Sequence, residues 1–325
     1  MNTAPLCVAH ETPIFSEIEV TDKMNDLRSR ESALQENAPV IALYNRMLKR
    51  GPGRFEVKPS GMPDIQDLHG LHPNFAEVIS DIEGDLSLCL SSPGGLNIPP
   101  ILLLGEPGIG KTYFAQRVAE VLGTGYNFIS MNSVTAGWIL SGSSSQWRGA
   151  RPGKVFQTLI DGEYANPVVV VDEIDKVGTA NQFDPLAPMY QLLEADTAKK
   201  FMDEYADVAV DASKINWVVT ANDEHAIPPA ILSRLRVYEV LAPDEEQAWQ
   251  IANLIYTQMR DENPWGSRFT ESPGDDLLEK LVRIGPRGMK AALRRGFGNA
   301  SKEQRSYVLP ADVNVEVRGK RQIGF

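Results

Sequence analysis

Short apolar runs alternate with amphipathic stretches through the middle of the chain. The runs lie at 101–105, 127–131, 168–172, 217–221 and 237–241. Several are almost continuously apolar, the pattern of strands in a parallel sheet covered on both faces. From about 64 to 242 strand and helix alternate, which predicts an α/β domain with a parallel sheet and helices on both faces. After 243 the strands stop, and helical periods at 245–260, 275–284 and 287–296 predict a small α-helical domain. Upstream, Val40, Ile41, Tyr44, Met47 and Leu48 fall on one stripe and predict a helix packed on the main domain. Residues 1 to about 35 keep no period and read as a poorly ordered lead-in. The basic turn at 49–54 reads as a solvated linker. The expected organisation is an N-terminal segment over 1–65, a large α/β domain over 66–242 and a helical domain with a tail over 243–325.

Composition narrows the picture without redirecting it. The 325 residues suffice for two ordinary domains, with 42% hydrophobic and 23% charged residues. A net charge of −11 argues against a chain whose main task is coating nucleic acid. Cys7 and Cys89 are too few for a disulfide framework, and His10, His69, His72 and His225 do not share metal-ligand spacing with them. No zinc site is expected. Neither a secretory signal nor an apolar run of membrane-spanning length is visible, so a soluble, cytoplasmic protein without membrane partners is expected.

The chemistry begins where the first apolar run ends. Gly105, Glu106, Pro107, Gly108, Ile109, Gly110, Lys111 and Thr112 satisfy the phosphate-loop pattern G-x-x-x-x-G-K-[ST], between a strand and a helix that Tyr113 continues. The glycines let successive N–H groups turn inward as a nest for phosphate oxygens, and the helix N-terminus adds its dipole. Lys111 is placed to reach the β- and γ-phosphates, and the Thr112 hydroxyl to meet Mg²⁺. A nucleoside triphosphate, ATP, is the expected ligand. The run Val168-Val169-Val170-Val171 ends in Asp172-Glu173, 61 positions after Lys111. Strand carboxyl ends converge on a phosphate loop, which makes Asp172 the Mg²⁺ partner and Glu173 the base that orients water. Asn222 closes another buried strand, and its alternatives are a γ-phosphate contact or a simple Asx turn. Arg234 ends a proline-opened helix, where an arginine either compensates the dipole or reaches a neighbouring subunit's nucleotide. Arg287 follows Gly285-Pro286 at a helix start, an unfavourable place for a cation unless a phosphate lies there.

In this order the residues resemble the AAA+ ATPases. Walker A is 105–112, Walker B is Asp172-Glu173, sensor 1 is Asn222, the arginine finger is Arg234, and Arg287 is sensor 2 in a helical lid. Over about 69–316 the chain is most similar to the ATPase module of Lon proteases. His69-Gly70-Leu71 resembles the adenine-side motif, Arg148-Gly149-Ala150-Arg151-Pro152-Gly153 the pore segment, and the run through Asp172-Glu173-Ile174-Asp175-Lys176 the Lon Walker B strand. The resemblance implies a homo-oligomer, a hexamer, acting on a protein substrate, with a separate peptidase or an adaptor as a further partner. It also implies a Lon-type motor without the Ser–Lys protease domain that follows the lid in Lon. Trp147 fits the pore paddle that grips a polypeptide. Arg148 departs from the aliphatic residue Lon carries there, so that the pair can also stack on single-stranded nucleic acid. The run at 141–145 is expected to be an exposed, mobile loop. Ile323-Gly324-Phe325 matches the tripeptide by which Clp-type unfoldases dock on a peptidase, although there it lies in an internal loop, and a frayed tail is the simpler reading.

Three function classes follow. The first is ATP hydrolysis coupled to remodelling, unfolding or threading of a protein. The second is a nucleic-acid-associated machine of clamp-loader or helicase-loader type, which the acidic balance and the Lon-like pore segment oppose. The third is a nucleotide-dependent assembly scaffold, which has no need of Glu173 and Arg234.

Overall fold

The computed structural model describes residues 5–30, 34–131, 138–177 and 184–313. Its strands are β1 (Leu6–Pro13), β2 (Gly53–Pro59), β3 (Ile101–Leu104), β4 (Tyr126–Ser130), β5 (Val168–Asp172), β6 (Phe201–Asp203), β7 (Val208–Val210), β8 (Asn216–Ala221) and β9 (Arg236–Glu239). The described residues divide into two compact units. One takes in 1–65, 80–104 and 115–239, and the other 66–79, 105–114 and 240–325.

The first unit is built on a five-stranded parallel sheet in the order β4-β5-β8-β3-β9. Val168, Val169, Val170 and Val171 are buried without exception, because β5 is an inner strand with side chains packed on both of its faces. All five expected strands are present within one or two residues of their predicted bounds. Two small antiparallel pairs, β1 with β2 and β6 with β7, complete the unit. Asn166, fully buried, ties the first pair to the large sheet. Its side chain accepts from Val57 N–H (3.1 Å) and donates to Val57 O (2.7 Å), while its own carbonyl accepts from Asn216 Nδ2 (3.1 Å).

The N-terminal segment departs from the expected disordered lead-in. β1 pairs with β2, and helix Glu17–Ser29 follows, with Ser16 as its N-cap. Ile14, Phe15, Val20 and Met24 join the same hydrophobic core as the large sheet. Their stripe is diluted by charged residues, so periodicity alone did not reveal it. Helix Leu34–Arg50 behaves as expected, with Val40, Tyr44 and Met47 buried. The basic turn is corrected as well: Arg54 is 2% exposed and is no solvated linker. Its guanidinium donates to Leu159 O (2.9 Å) and Ile160 O (2.8 Å), capping the last carbonyls of helix Lys154–Asp161.

The second unit gathers helices Glu245–Asp261, Asp275–Leu281 and Pro286–Lys302 around Tyr256, Met289, Leu293 and Phe297. Asp244 and Gln247 form a reciprocal capping box at the start of the first helix, and Pro286 opens the third. Among the described residues no helix is long and apolar enough to cross a membrane.

Candidate functional site

The phosphate loop leaves β3 at Gly105 and runs into helix Lys111–Leu122. Gly108 (φ 90°) and Gly110 (φ 107°) hold left-handed backbone, which lets neighbouring amides turn to one side. Phe114 N–H donates to Gly110 O (2.8 Å) and closes the first helical turn. Lys111 is only 7% exposed, and its ammonium folds across its own loop, donating to Gly105 O (2.7 Å) and Glu106 O (2.9 Å).

The unit that holds this loop also holds His69, Gly70 and Leu71, on helix Gln66–Leu71. The next residue, His72, is buried against three aromatic rings. Its centroid lies 5.5 Å from Phe75, 5.3 Å from Tyr113 and 5.2 Å from Phe114, and Phe75 stacks on Phe114 at 4.3 Å. This cluster couples the 69–71 motif to the helix that opens at Lys111. Gly285, which starts the last long helix, also approaches the loop, and a Cβ built on it would stand 3.8 Å from Gly108 O. Arg287, two residues on, is exposed and lines an open cavity of about 560 Å³ with Met259, Glu262, Lys290 and Arg294.

At the carboxyl edge of the sheet, β5 ends in Asp172, which is 9% exposed. Thr220 Oγ1 donates to Asp172 Oδ1 (2.7 Å) and accepts from Glu173 N–H (3.0 Å). Glu173 sits in left-handed backbone (φ 57°, ψ 50°), which costs a non-glycine residue about 1–2 kcal/mol. The Thr220 hydroxyl therefore holds both the carboxylate and the strained peptide beside it. Asn222 lies just beyond β8, on the strand next to β5, so Asp172, Glu173 and Asn222 meet at one edge. Sequence reasoning missed Thr220, whose polar side chain in a buried strand is the signal that marks it.

Arg234 is held within its own chain. Its guanidinium contacts Glu194 Oε2 at 2.9 Å and donates to Ala230 O. Trp147 is 47% exposed and packs edge-to-face on Trp138, itself 41% exposed, with ring centroids 5.1 Å apart. Trp138 is a second missed residue, and Arg148 beside Trp147 is exposed. The expected mobile run is corrected: Ser141, Gly142 and Ser143 are buried, and the exposed stretch is 145–149. Ile323-Gly324-Phe325 and the basic residues before it lie outside the described residues.

This fold, with a phosphate loop after β3 and Asp-Glu after β5, defines a class of nucleotide hydrolases. Residues 101–242 match the model of the ATPase family associated with various cellular activities (AAA), so the chain contains an AAA+ ATPase module. That module is Lon-like. The Lon protease of Dictyoglomus thermophilum is 33% identical over 187 residues, 57% of this chain and 23% of that protein. Lon protease 2 of Hydrogenovibrio crunogenus is 38% identical over 152 residues, 47% of this chain and 17% of that protein. The chain thus spans about a quarter or less of the length of these relatives. A closed-state reconstruction of Hsp104 with ATPγS and casein shares the fold, with a TM-score of 0.58 at 14% identity, over 76% of this chain and 51% of that one.

Proposed function

We propose that the chain is one subunit of a homo-oligomeric, hexameric AAA+ motor that couples ATP hydrolysis to remodelling, unfolding or threading of a protein. The observation that carries the reading is the edge of the sheet. A strained Glu173 and a buried Asp172 at the end of β5 are both fastened to Thr220 on β8, the strand beside β3, whose end leads into the phosphate loop. Strain kept at such a place is a feature of sites built for chemistry.

In this mechanism the loop amides and Lys111 bind the β- and γ-phosphates, and His69, Gly70 and Leu71 lie on the adenine side. Thr112 and Asp172 are hard oxygen donors, the set that suits Mg²⁺. When bound, Mg²⁺ would neutralise charge on the phosphate oxygens. Glu173 takes a proton from the attacking water, and Asn222 reads the γ-phosphate. Arg234 leaves Glu194 to complete the site of the neighbouring subunit, where such a finger is worth about three to five orders of magnitude in rate. Arg287 links the lid to the nucleotide. Trp147, with Trp138 behind it, grips the polypeptide, and Arg148 borders the grip.

The Lon relatives support protein as the substrate class. A paired stimulation assay tests this. ATP hydrolysis is measured with an unfolded protein and, separately, with single-stranded DNA over a salt series. The proposal expects stimulation by the protein. Salt-sensitive stimulation by DNA alone would overturn it in favour of a nucleic-acid machine.

A further inference from the structure

Asp203 is the most completely buried carboxylate among the described residues, with 0% exposure, yet no part of the nucleotide chemistry uses it. It ends β6, and its two oxygens have different employers. Oδ1 accepts from Tyr205 N–H (3.1 Å) and Ala206 N–H (2.8 Å), the local bonds of the turn between β6 and β7. Oδ2 accepts from Gly153 N–H (2.8 Å), fifty positions away. The turn alone would be served by one oxygen, so an asparagine would suffice there. A second acceptor is needed only for Gly153, and a carboxylate is the side chain that accepts on both sides.

Gly142 opens the segment that carries Trp147 and Arg148, and Gly153 closes it. The two glycines touch where Asp203 sits. A Cβ on Gly142, whose φ is 80°, would stand 2.8 Å from Asp203 Oδ2 and 2.9 Å from Gly153 N. A Cβ on Gly153 would fall on Leu140 O. The stems are joined further by Ser143 N–H to Arg151 O (3.2 Å), and the first stem is fixed to the same turn by Glu204 N–H to Ser141 O (2.7 Å).

We propose that Asp203 is the positioning residue of the tryptophan loop, clamping its second stem onto the β6–β7 turn to which the Glu204 N–H ties the first, so that Trp147 moves with that turn. The N-terminal helices brace the other side of it. Tyr44 Oη donates to Ala206 O (2.5 Å), and Lys23 pairs with Asp207 Oδ2 (2.7 Å). The N-terminal segment is thereby part of the loop's mounting. Burial raises the Asp203 carboxyl to about 6 against the pull of its three N–H donors, with Glu204 adding to the rise, so the clamp is ionised at neutral pH.

The inference rests on the proposed gripping role of Trp147, and its test separates the two. Asp203→Asn keeps the shape and one acceptor, but turns an N–H₂ group either on Gly153 N–H or on the turn. The variant is expected to unfold substrate about tenfold more slowly or worse, while its ATP hydrolysis without substrate stays within about twofold of the parent. Hydrogen exchange at the Gly153 amide of the unmodified chain is expected to be slowed at least about tenfold relative to an open amide, and Asp203→Asn to abolish that protection. A folded Asp203→Asn protein that unfolds substrate at the parental rate would overturn the clamp. So would a Gly153 amide that exchanges freely in the unmodified chain, a result that needs no variant to fold. If Trp147→Ala left unfolding intact, the gripping role would fail, while Gly153 exchange would still decide the clamp.

Discussion

Single side chains here carry two kinds of work, chemistry and placement, and each kind has its own signature under substitution. Glu173→Gln keeps the shape of the water-orienting group but removes its basicity. Hydrolysis is expected to fall by about two to four orders of magnitude with ATP binding preserved, as measured by phosphate release beside equilibrium nucleotide binding. Thr220→Val removes both the donor to Asp172 and the acceptor for Glu173 N–H at nearly constant volume. A loss of about tenfold or more in kcat is expected, with Thr220→Ser restoring most of it. A valine variant with unchanged kcat would show that Thr220 serves only the fold. Asp203 brings a pH dependence whose sign follows from its carboxyl being raised from 3.8 to about 6. A raised carboxyl favours folding while protonated, so this contribution is present below about pH 4 and is lost as pH rises through 6. Its size is on the order of 3 kcal/mol. Urea unfolding of the parent and of Asp203→Asn across pH 4–7 checks it, and the parent is expected to lose ground to the variant as pH rises. Glu204 is the charged neighbour that shapes this titration, with Tyr44 and Tyr205 as the other titratable groups around it.

At the scale of elements, Arg54 shows how a turn that looks like a linker can hold a fold together. Its guanidinium serves the carbonyls of Leu159, Ile160, Gly51 and Gly53. Arg54→Met would leave the buried carbonyls unpaired and is expected to destabilise the chain by about 3 kcal/mol, read from urea unfolding. The large sheet was legible in the sequence because its inner strands, such as 168–172, are apolar on both faces and so cannot be confused with amphipathic helices. The phosphate loop and Asp172-Glu173 were legible because their spacing is dictated by the ligand's chemistry. What escaped has physical causes too. β6 and β7 are three residues each, too short for any period to declare itself. The helix Glu17–Ser29 buries only Val20 and Met24, so its stripe is thin. Trp138 and the His72 cluster act through neighbours that are distant in sequence and carry no local mark, whereas Thr220 shows only as a polar residue in an otherwise apolar strand end.

For the whole molecule, the proposed motor depends on sites completed across subunits. In the single chain Arg234 is engaged by Glu194 at 2.9 Å, an exposed pair of the kind worth less than about 1 kcal/mol, so its release costs little. A mixing experiment tests the sharing. Subunits carrying Arg234→Ala retain Glu173, and subunits carrying Glu173→Gln retain Arg234. Each preparation alone is expected to be inactive, and a mixture to regain part of the ATPase. No recovery from a well-mixed oligomer would place Arg234 outside the neighbouring site.

If a Lon-like ATPase module drives an aromatic grip on a polypeptide, Trp147→Ala separates the engine from the grip. ATP hydrolysis and unfolding of a tagged protein substrate are measured side by side on this one variant. Hydrolysis is expected to persist within about twofold while unfolding falls by about tenfold or more. Unfolding at the parental rate would contradict the grip.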